Sequence, residues 1–114
     1  MRDLVQHDGV YYKKFSNVPF SGKVTGPFNG LITNGKREGA WICYYAGGQL
    51  HYKGNYKKGK MEGEWITYHR KGQLNSKGNY KNGKREGEWV VYSGNGIPYK
   101  SKTGTFKNGV KIGD

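Results

Sequence analysis

Short runs in which apolar and polar residues alternate recur along this chain, and glycine-rich segments separate them. Three of these runs begin at Trp41, Trp65 and Trp89, which are spaced 24 residues apart. Alternation with a period of two is typical of half-buried β-strands, and no helical periodicity accompanies it. The pattern therefore predicts strands joined by tight turns and repeated at a fixed interval.

The repetition covers three blocks and a short C-terminal stub. Residues 35–58 and 59–82 are blocks of 24 residues, residues 83–108 form a block of 26, and residues 109–114 are the stub. Each block is predicted to hold a short first strand, a turn, a return strand and a second turn. The first strands are expected near residues 41–45, 65–68 and 89–92, and the return strands near residues 49–57, 73–81 and 99–107.

Asparagine–glycine pairs mark the boundaries between blocks and are strong hairpin signals, because both residues tolerate positive φ. These boundary pairs are Asn34-Gly35, Asn82-Gly83 and Asn108-Gly109, and Lys58-Gly59 fills the remaining slot. The opposite turns are expected at Gly47-Gly48, Lys71-Gly72 and Asn95-Gly96. In the third block Ile97-Pro98 replaces Gln-Leu, so its second turn departs from the pattern of the other two.

The predicted fold class is all-β: an elongated antiparallel β-meander of stacked hairpin repeats of about 24 residues. With further short strands near residues 10–15 and 30–33, it has about eight to ten strands and extends roughly 40 Å or more. Residues 1–29 are expected to form an N-terminal segment with short strands. Residues 30–114 are expected to form one continuous domain of about three full repeats plus the stub.

Alternation also assigns side chains to the two faces of the sheet. Trp41 and Cys43 point to one face and Ile42 to the other, while Leu50 and Gly54 are expected to share a face on the return strand. The same pattern gives one mostly apolar face and one face of mixed aromatic and basic character. It leaves open which row of first-strand residues meets the leucines. The mid-strand glycines Gly54 and Gly78 indicate close approach by a neighbouring aromatic ring.

Composition changes this picture in two ways. Only 33% of the residues are hydrophobic, whereas the chain has ten Tyr, four Phe and three Trp, so aromatic rings must replace an aliphatic core. The 20 Lys and Arg residues outnumber the eight Asp and Glu, and the excess recurs with the repeats. Stacked repeats would gather these charges into a basic ridge along one edge, which would speed association with an acidic partner.

Catalytic, metal and cofactor chemistry is not indicated. The sequence G-x-x-x-x-G-K resembles a phosphate-binding loop, but it occurs three times, at residues 30–36, 54–60 and 78–84, and lacks the Ser or Thr that follows the lysine in such loops. One cysteine and three scattered histidines do not make a metal site. We therefore expect a protein that is not an enzyme and has no cofactor. No signal peptide or transmembrane segment is visible, which makes the cytoplasm the default compartment.

The blocks resemble the MORN-repeat family in its bacterial variant form. The resemblance rests on the elements G-x-W-x-x-Y, G-Q-L and K-G-x-Y-K-x-G-K-x-x-G, present here at residues 63–68, 72–74 and 77–87, and it covers about residues 30–114. It implies elongated sheets of hairpins, and roles in scaffolding, self-association and contact with anionic phospholipid. Bacterial variants often carry an antitoxin or immunity-like label, paired with a toxin.

The protein is predicted to be a non-catalytic protein-binding module. If it is antitoxin-like, it would occlude an acidic toxin. Peripheral binding to anionic lipid and a self-associating scaffold, with homo-oligomers formed through edge strands, are alternatives; nucleic acid is disfavoured because no RNA-binding motif is present. The tryptophans are assigned to folding. The candidate binding residues are Tyr44, Tyr68, Tyr92, Lys60, Lys84 and Arg85.

Overall fold

In the computed structural model, residues 3–114 form eleven strands joined by turns and loops. The first two residues of the predicted N-terminal segment, 1–29, lie outside the described residues. In chain order the strands are β1 (Leu4–His7), β2 (Val10–Lys13), β3 (Gly22–Val24), β4 (Phe28–Thr33), β5 (Lys36–Tyr44), β6 (Leu50–Lys57), β7 (Lys60–Tyr68), β8 (Leu74–Lys81), β9 (Lys84–Val91), β10 (Gly104–Lys107) and β11 (Val110–Gly113).

Strands β3 to β11 form one nine-stranded sheet in which neighbours in sequence are neighbours in space. Every pairing within it is antiparallel. Nine strands span roughly 40 Å at the usual strand separation, in agreement with the longest dimension of 47 Å; the other two are 33 Å and 18 Å. The prediction of an all-β, elongated antiparallel meander of stacked hairpins is confirmed.

The lengths of some strands differ from the predicted ones. The first strand of a repeat begins directly after the boundary turn, as β5 does at Lys36, because the polar residues before the tryptophan pair with the preceding strand: Glu38 lies opposite Leu31. Because these residues are polar, the alternation of apolar and polar positions does not predict this part of the strand. The return strand of the third block is shorter than predicted, since residues 99–103 form a turn in which the N–H groups of Lys102 and Thr103 donate to the Tyr99 carbonyl.

The boundary turns are two-residue hairpin turns with positive φ at both residues, the type I′ geometry that matches the twist of the flanking strands. The pairs of φ values are 49° and 78° at Asn34-Gly35, 52° and 82° at Lys58-Gly59, 53° and 81° at Asn82-Gly83, and 51° and 84° at Asn108-Gly109. Lys58 thus adopts a conformation that asparagine and glycine adopt more readily. The predicted positions of these turns are confirmed.

The turns at the opposite end of the sheet are alike in all three blocks. In the first block the Tyr45 N–H donates to the Gln49 carbonyl and the Gly48 N–H donates to the Tyr45 carbonyl. In the third block, Ser93 donates in the same way to Ile97 and Gly96 donates to Ser93. The Ile-Pro substitution therefore leaves this turn intact and alters the chain only after it.

Each repeat tryptophan packs flat against a glycine of the preceding strand. A β-carbon added at Gly54 would collide with the ring of Trp65, and one added at Gly78 would collide with the ring of Trp89. The ladder between β6 and β7 is irregular at this point, between Lys53 and Asn55, and the indole N–H of Trp65 donates to the Asn55 carbonyl at 3.0 Å. The indole thus supplies a donor to a backbone carbonyl beside the break. The close approach predicted at both glycines is confirmed.

The sheet has two unlike faces. The Trp face carries the buried Trp41, Trp65 and Trp89, with Phe106 and several half-buried tyrosines packed around them. The open face is the opposite side, which carries Ile42, Ile66 and Val90.

The position of Leu50 is a correction. A bulge pairs Tyr52 with Cys43 but Leu50 with Tyr44, so Leu50 lies on the open face and does not share the face of Gly54. Alternation counted along one strand misses such a register shift.

The hairpin β1–β2 continues into a loop that is tied to the first boundary turn of the large sheet. The N–H of Tyr11 donates to the Gly35 carbonyl, and the N–H of Gly35 donates to the Phe20 carbonyl. The side chain of Tyr11 packs against the buried cluster of Val24, Ile32 and Trp41. The division of the chain at residue 29 stays a prediction, but these contacts bring the hairpin to the first repeat.

Candidate functional site

Six lysines form a row across the open face, at the end of the sheet that holds the type I′ turns. The pairings place Lys57 opposite Lys60 and Lys81 opposite Lys84, with like charges directly facing each other. All six side chains are exposed. This lysine row consists of Lys36, Lys57, Lys60, Lys81, Lys84 and Lys107.

No carboxylate oxygen of residues 3–114 lies within 4 Å of an ammonium group of the lysine row. The glutamates that recur nearby accept hydrogen bonds from the backbone of the boundary turn at the end of their own block. Glu38 accepts a hydrogen bond from the Lys58 N–H at 2.6 Å, Glu62 from the Asn82 N–H at 2.8 Å, and Glu86 from the Asn108 N–H at 3.0 Å. Because these glutamates bind the turns, the lysine charges are left without close ion pairs.

Arg85 lies on the other face of the sheet from Lys60 and Lys84. Its guanidinium is 4.5 Å from the ring centroid of Trp89 and 5.4 Å from that of Phe106, and the residue is half-buried. Such cation–π stacking makes the arginine part of the cover over the tryptophan. The basic ridge expected from the sequence is therefore made of lysines, without the arginines beside them.

The tyrosines of the predicted site lie on the open face, but at the end away from the lysine row. Tyr44 and Tyr68 pair with Leu50 and Leu74, and Tyr92 forms an isolated bridge with Pro98. Eight residues separate the lysine from the tyrosine on one strand, which corresponds to about 25 Å. The structure thus places the predicted lysines and tyrosines on one face but does not bring them together.

The three tryptophans are inaccessible to a partner. Trp41, Trp65 and Trp89 are 1%, 3% and 2% exposed, and their indole N–H groups donate to the carbonyls of Leu31, Asn55 and Asn79. Both the ring and its polar atom are therefore used within the fold.

Two adjacent segments of the chain, residues 37–58 and 61–82, match the family model described as MORN repeat variant. These two segments are similar to MORN repeats. The third block continues their geometry, since Trp89 lies over Gly78 as Trp65 lies over Gly54. MORN repeats are generally protein- or membrane-binding modules, and proteins built from them are generally non-catalytic. Comparison with curated proteins gives no match.

Residues 3–114 contain no helix that is long and apolar enough to cross a membrane. Nor do they contain a group of three or more His, Cys, Asp or Glu side chains able to hold a metal ion.

The histidines that break the repeat pattern have partners within the sheet. The His69 Nε2 lies 2.8 Å from the Tyr92 carbonyl, where the equivalent Tyr45 hydroxyl donates to the Tyr68 carbonyl at 2.7 Å. His69 therefore takes the place of a tyrosine that ties one repeat to the next. His51 stacks on Tyr45 with ring centroids 4.1 Å apart.

The thiol and phenol beside His51 belong to the packed Trp face. Cys43 is 4% exposed, and burial raises the pKa of its thiol. Burial is also the main cause that raises the pKa of Tyr52 to about 12. Both groups therefore remain protonated at neutral pH, which is not what a reactive nucleophile requires.

Arg37, in the first repeat, makes a cluster that the linear pattern does not reveal. Its Nη1 donates to the Tyr56 hydroxyl at 2.9 Å and its Nη2 donates to the Tyr11 hydroxyl at 3.1 Å, and its guanidinium lies 4.8 Å from the Trp41 ring centroid. Burial alone would lower the pKa of Arg37, but Tyr56 and Tyr11 raise it more, so its pKa lies above the usual value.

The Nε of Arg37 is buried and has no hydrogen-bond partner among residues 3–114. A buried donor left without an acceptor costs about 1–3 kcal/mol. One sequence signal could have identified this arginine: the position is not the same in every repeat, since the second repeat has Met61 there.

Proposed function

We propose that this protein is a non-catalytic binding module that covers an acidic surface of a protein partner, as an antitoxin or immunity protein covers its toxin. The observation that carries the proposal is the lysine row: six exposed lysines on one face, without a carboxylate of residues 3–114 within 4 Å of their ammonium groups. The formal net charge of +12 has the same sign as this surface and adds to its attraction for an anionic partner.

The opposed lysine pairs support an anionic partner. Like charges directly opposite each other on neighbouring strands destabilise a sheet, and Lys57–Lys60 and Lys81–Lys84 are two such pairs. An acidic partner would offset this repulsion when it binds, so part of the cost present in the isolated protein would become binding free energy. Charge complementarity of this kind also speeds association and selects against basic partners.

The rest of the open face has a composition suited to a protein partner. Tyr44, Tyr68 and Tyr92 lie along the far end, and the partly exposed Ile42 and Ile66 lie between them and the lysines. Tyrosine is enriched at protein interfaces, and the apolar part of an interface usually lies inside a polar rim. A partner that spans the strands would contact apolar side chains as well as lysines, which favours a protein over a purely electrostatic ligand.

The test is charge reversal within the lysine row, using the triple variant Lys60→Glu, Lys81→Glu and Lys84→Glu. Arg85 is left unchanged, since its reversal would disturb the packing on Trp89. Binding of a fluorescent, glutamate-rich peptide would be followed by anisotropy at low and at physiological salt. We expect the affinity to fall by about tenfold or more, equivalent to about 1.4 kcal/mol.

The matched control reverses three lysines outside the row, Lys14, Lys71 and Lys100, and so changes the net charge equally. Equal losses in the two variants would mean that net charge alone attracts the peptide, and would reject the lysine row as a site. Binding to vesicles of anionic lipid without binding to the peptide would instead favour the peripheral-membrane alternative. Self-association through the exposed edge of β11, where Val110 is 64% exposed, would appear as a dimer in sedimentation.

A further inference from the structure

We infer that the cluster around Arg37 is a binding site for a carboxylate group, carried by a small acid or by an acidic side chain of another protein. The site lies on the Trp face, between the N-terminal hairpin and the first repeat. It is separate from the lysine row and does not depend on the function proposed for that row.

A cleft of about 260 Å³ opens beside the guanidinium. The Arg37 side chain and the hydroxyls of Tyr11 and Tyr56 meet there, with Gln6 and the turn glycines Gly9 and Gly59 completing the lining. The cleft therefore combines a cation with several hydrogen-bond donors, in a space large enough for a carboxylate and the carbons attached to it.

The hydrogen bonds within the cluster leave donors available to a ligand. Both tyrosine hydroxyls accept from the guanidinium, so the proton of each hydroxyl remains available for donation. The guanidinium has five N–H groups, of which Nη1 and Nη2 each donate one to a tyrosine hydroxyl and keep a second. A carboxylate accepts several such bonds at once, and guanidinium geometry matches it better than an ammonium would.

The charge of the site also favours a monoanion. No carboxylate oxygen of the described residues lies within 4 Å of the Arg37 guanidinium, so its positive charge is not neutralised by a close ion pair within the fold. Partial burial weakens the screening of this charge by water. A singly charged carboxylate would balance one arginine, whereas a phosphate would bring additional negative charge into the same cleft.

The cluster occurs once, although its framework is repeated. In the second repeat Met61 stands in the place of Arg37, and in the third repeat Phe106 stands in the place of Tyr56. Arg85 therefore stacks on Trp89 and Phe106 and has no hydroxyl at the position of Phe106. At the equivalent position, Arg37 donates to the Tyr56 hydroxyl. The N-terminal hairpin supplies Tyr11 to the first repeat. An apolar or arginine side chain is enough to cover the tryptophan ring. Packing therefore does not explain the hydroxyls of Tyr11 and Tyr56.

The test replaces residues of the cluster with those that other repeats have at the equivalent positions. Arg37→Met and Tyr56→Phe reproduce Met61 and Phe106, so both variants are expected to fold. The full chain would be titrated with sodium acetate against sodium chloride at matched ionic strength, with a parallel titration of inorganic phosphate. NMR would follow the Arg37 Nε–H and the Trp41 indole N–H, the latter present in every variant.

We expect acetate to shift both resonances saturably in the wild type, with a dissociation constant on the order of millimolar. The indole shift should disappear in Arg37→Met and weaken severalfold in Tyr56→Phe, but persist in the matched control Arg85→Met. Acetate and chloride shifts that are equal, or an indole shift that survives Arg37→Met, would overturn the inference. A response to phosphate alone would also overturn it, since the class of ligand would then be wrong.

Discussion

A tryptophan packed on a glycine of the neighbouring strand is the smallest unit that recurs in this protein. The glycine removes the side chain that the ring would collide with, and the indole N–H donates to the carbonyl of the following residue, as Trp65 does to Asn55. One residue therefore provides both apolar burial and a backbone hydrogen bond. The unit depends on the absence of a β-carbon at positions such as Gly54.

At this scale, Gly54→Ala and Gly78→Ala should each destabilise the protein by about 1–3 kcal/mol. The new methyl group would push the ring of Trp65 or Trp89 away from the strand on which it packs. Urea unfolding followed by tryptophan fluorescence would measure the change. Gly94→Ala is the matched control, since an added β-carbon there meets no atom within 4 Å. Stabilities that are the same in all three variants would contradict the packing described for the ring.

The hairpin is the next scale, and its two ends are built differently. The type I′ ends are set by two residues with positive φ. The N–H of the first turn residue donates to a glutamate at Lys58, Asn82 and Asn108, and to the Ser21 hydroxyl at Asn34. The opposite ends use a longer turn whose glycine, such as Gly48, has positive φ. Because each end is specified by local chemistry, the turns keep their form even where the third block gains two residues and its return strand is short.

Lys58 is the exception among the type I′ turns and gives the prediction at this scale. A left-handed conformation costs a residue such as lysine about 1 kcal/mol, and asparagine tolerates it better. We expect Lys58→Asn to stabilise the protein by up to about 1 kcal/mol and Asn82→Lys, at the equivalent turn, to destabilise it by a similar amount. Chemical unfolding of both variants would check this.

Lys58→Asn removes one positive charge and Asn82→Lys adds one, so on a chain of net charge +12 charge alone would give the same two directions. The control is Lys58→Gln, which removes the same charge but keeps a side chain that tolerates the left-handed conformation poorly. If Lys58→Gln stabilised the protein as much as Lys58→Asn does, charge and not the turn would be responsible.

At the scale of the whole molecule, the protein is thin and carries a large charge. It is 18 Å across in its thinnest dimension. Trp65 and Trp89 are buried by neighbouring side chains of the same face, and Leu4 and Tyr11 of the β1–β2 hairpin help to cover the cluster of Trp41. The formal net charge of +12 is spread over this thin body, and the lysine row concentrates part of it. Self-repulsion of this kind opposes the compact state.

We therefore expect the midpoint of thermal unfolding to rise with added sodium chloride, because salt screens repulsion between exposed charges. The variant Lys60→Glu and Lys84→Glu should be at least as stable as the wild type and should respond less to salt, since both opposed lysine pairs become pairs of opposite charge and the formal charge falls from +12 to +8. Calorimetry at several salt concentrations would measure this. A variant less stable than the wild type would contradict the repulsion assigned to the row.

The sequence by itself determined the features that depend on neighbouring residues. The interval between Trp41, Trp65 and Trp89, the positive-φ pairs and the mid-strand glycines determine where strands begin, where they turn and where a ring packs, since each is governed by contacts within one or two strands. The all-β meander follows from them.

Only the tertiary structure decided how these elements combine into surfaces. A register shift places Leu50 on the open face. Packing on Trp89 places Arg85 on the opposite face from Lys60 and Lys84. The contact between Tyr11 and Arg37 joins residues 26 positions apart through the fold of the N-terminal hairpin. The physical reason is that a face or a cluster depends on which strands pair and on where a bulge adds a residue, and these are long-range properties that no local pattern records.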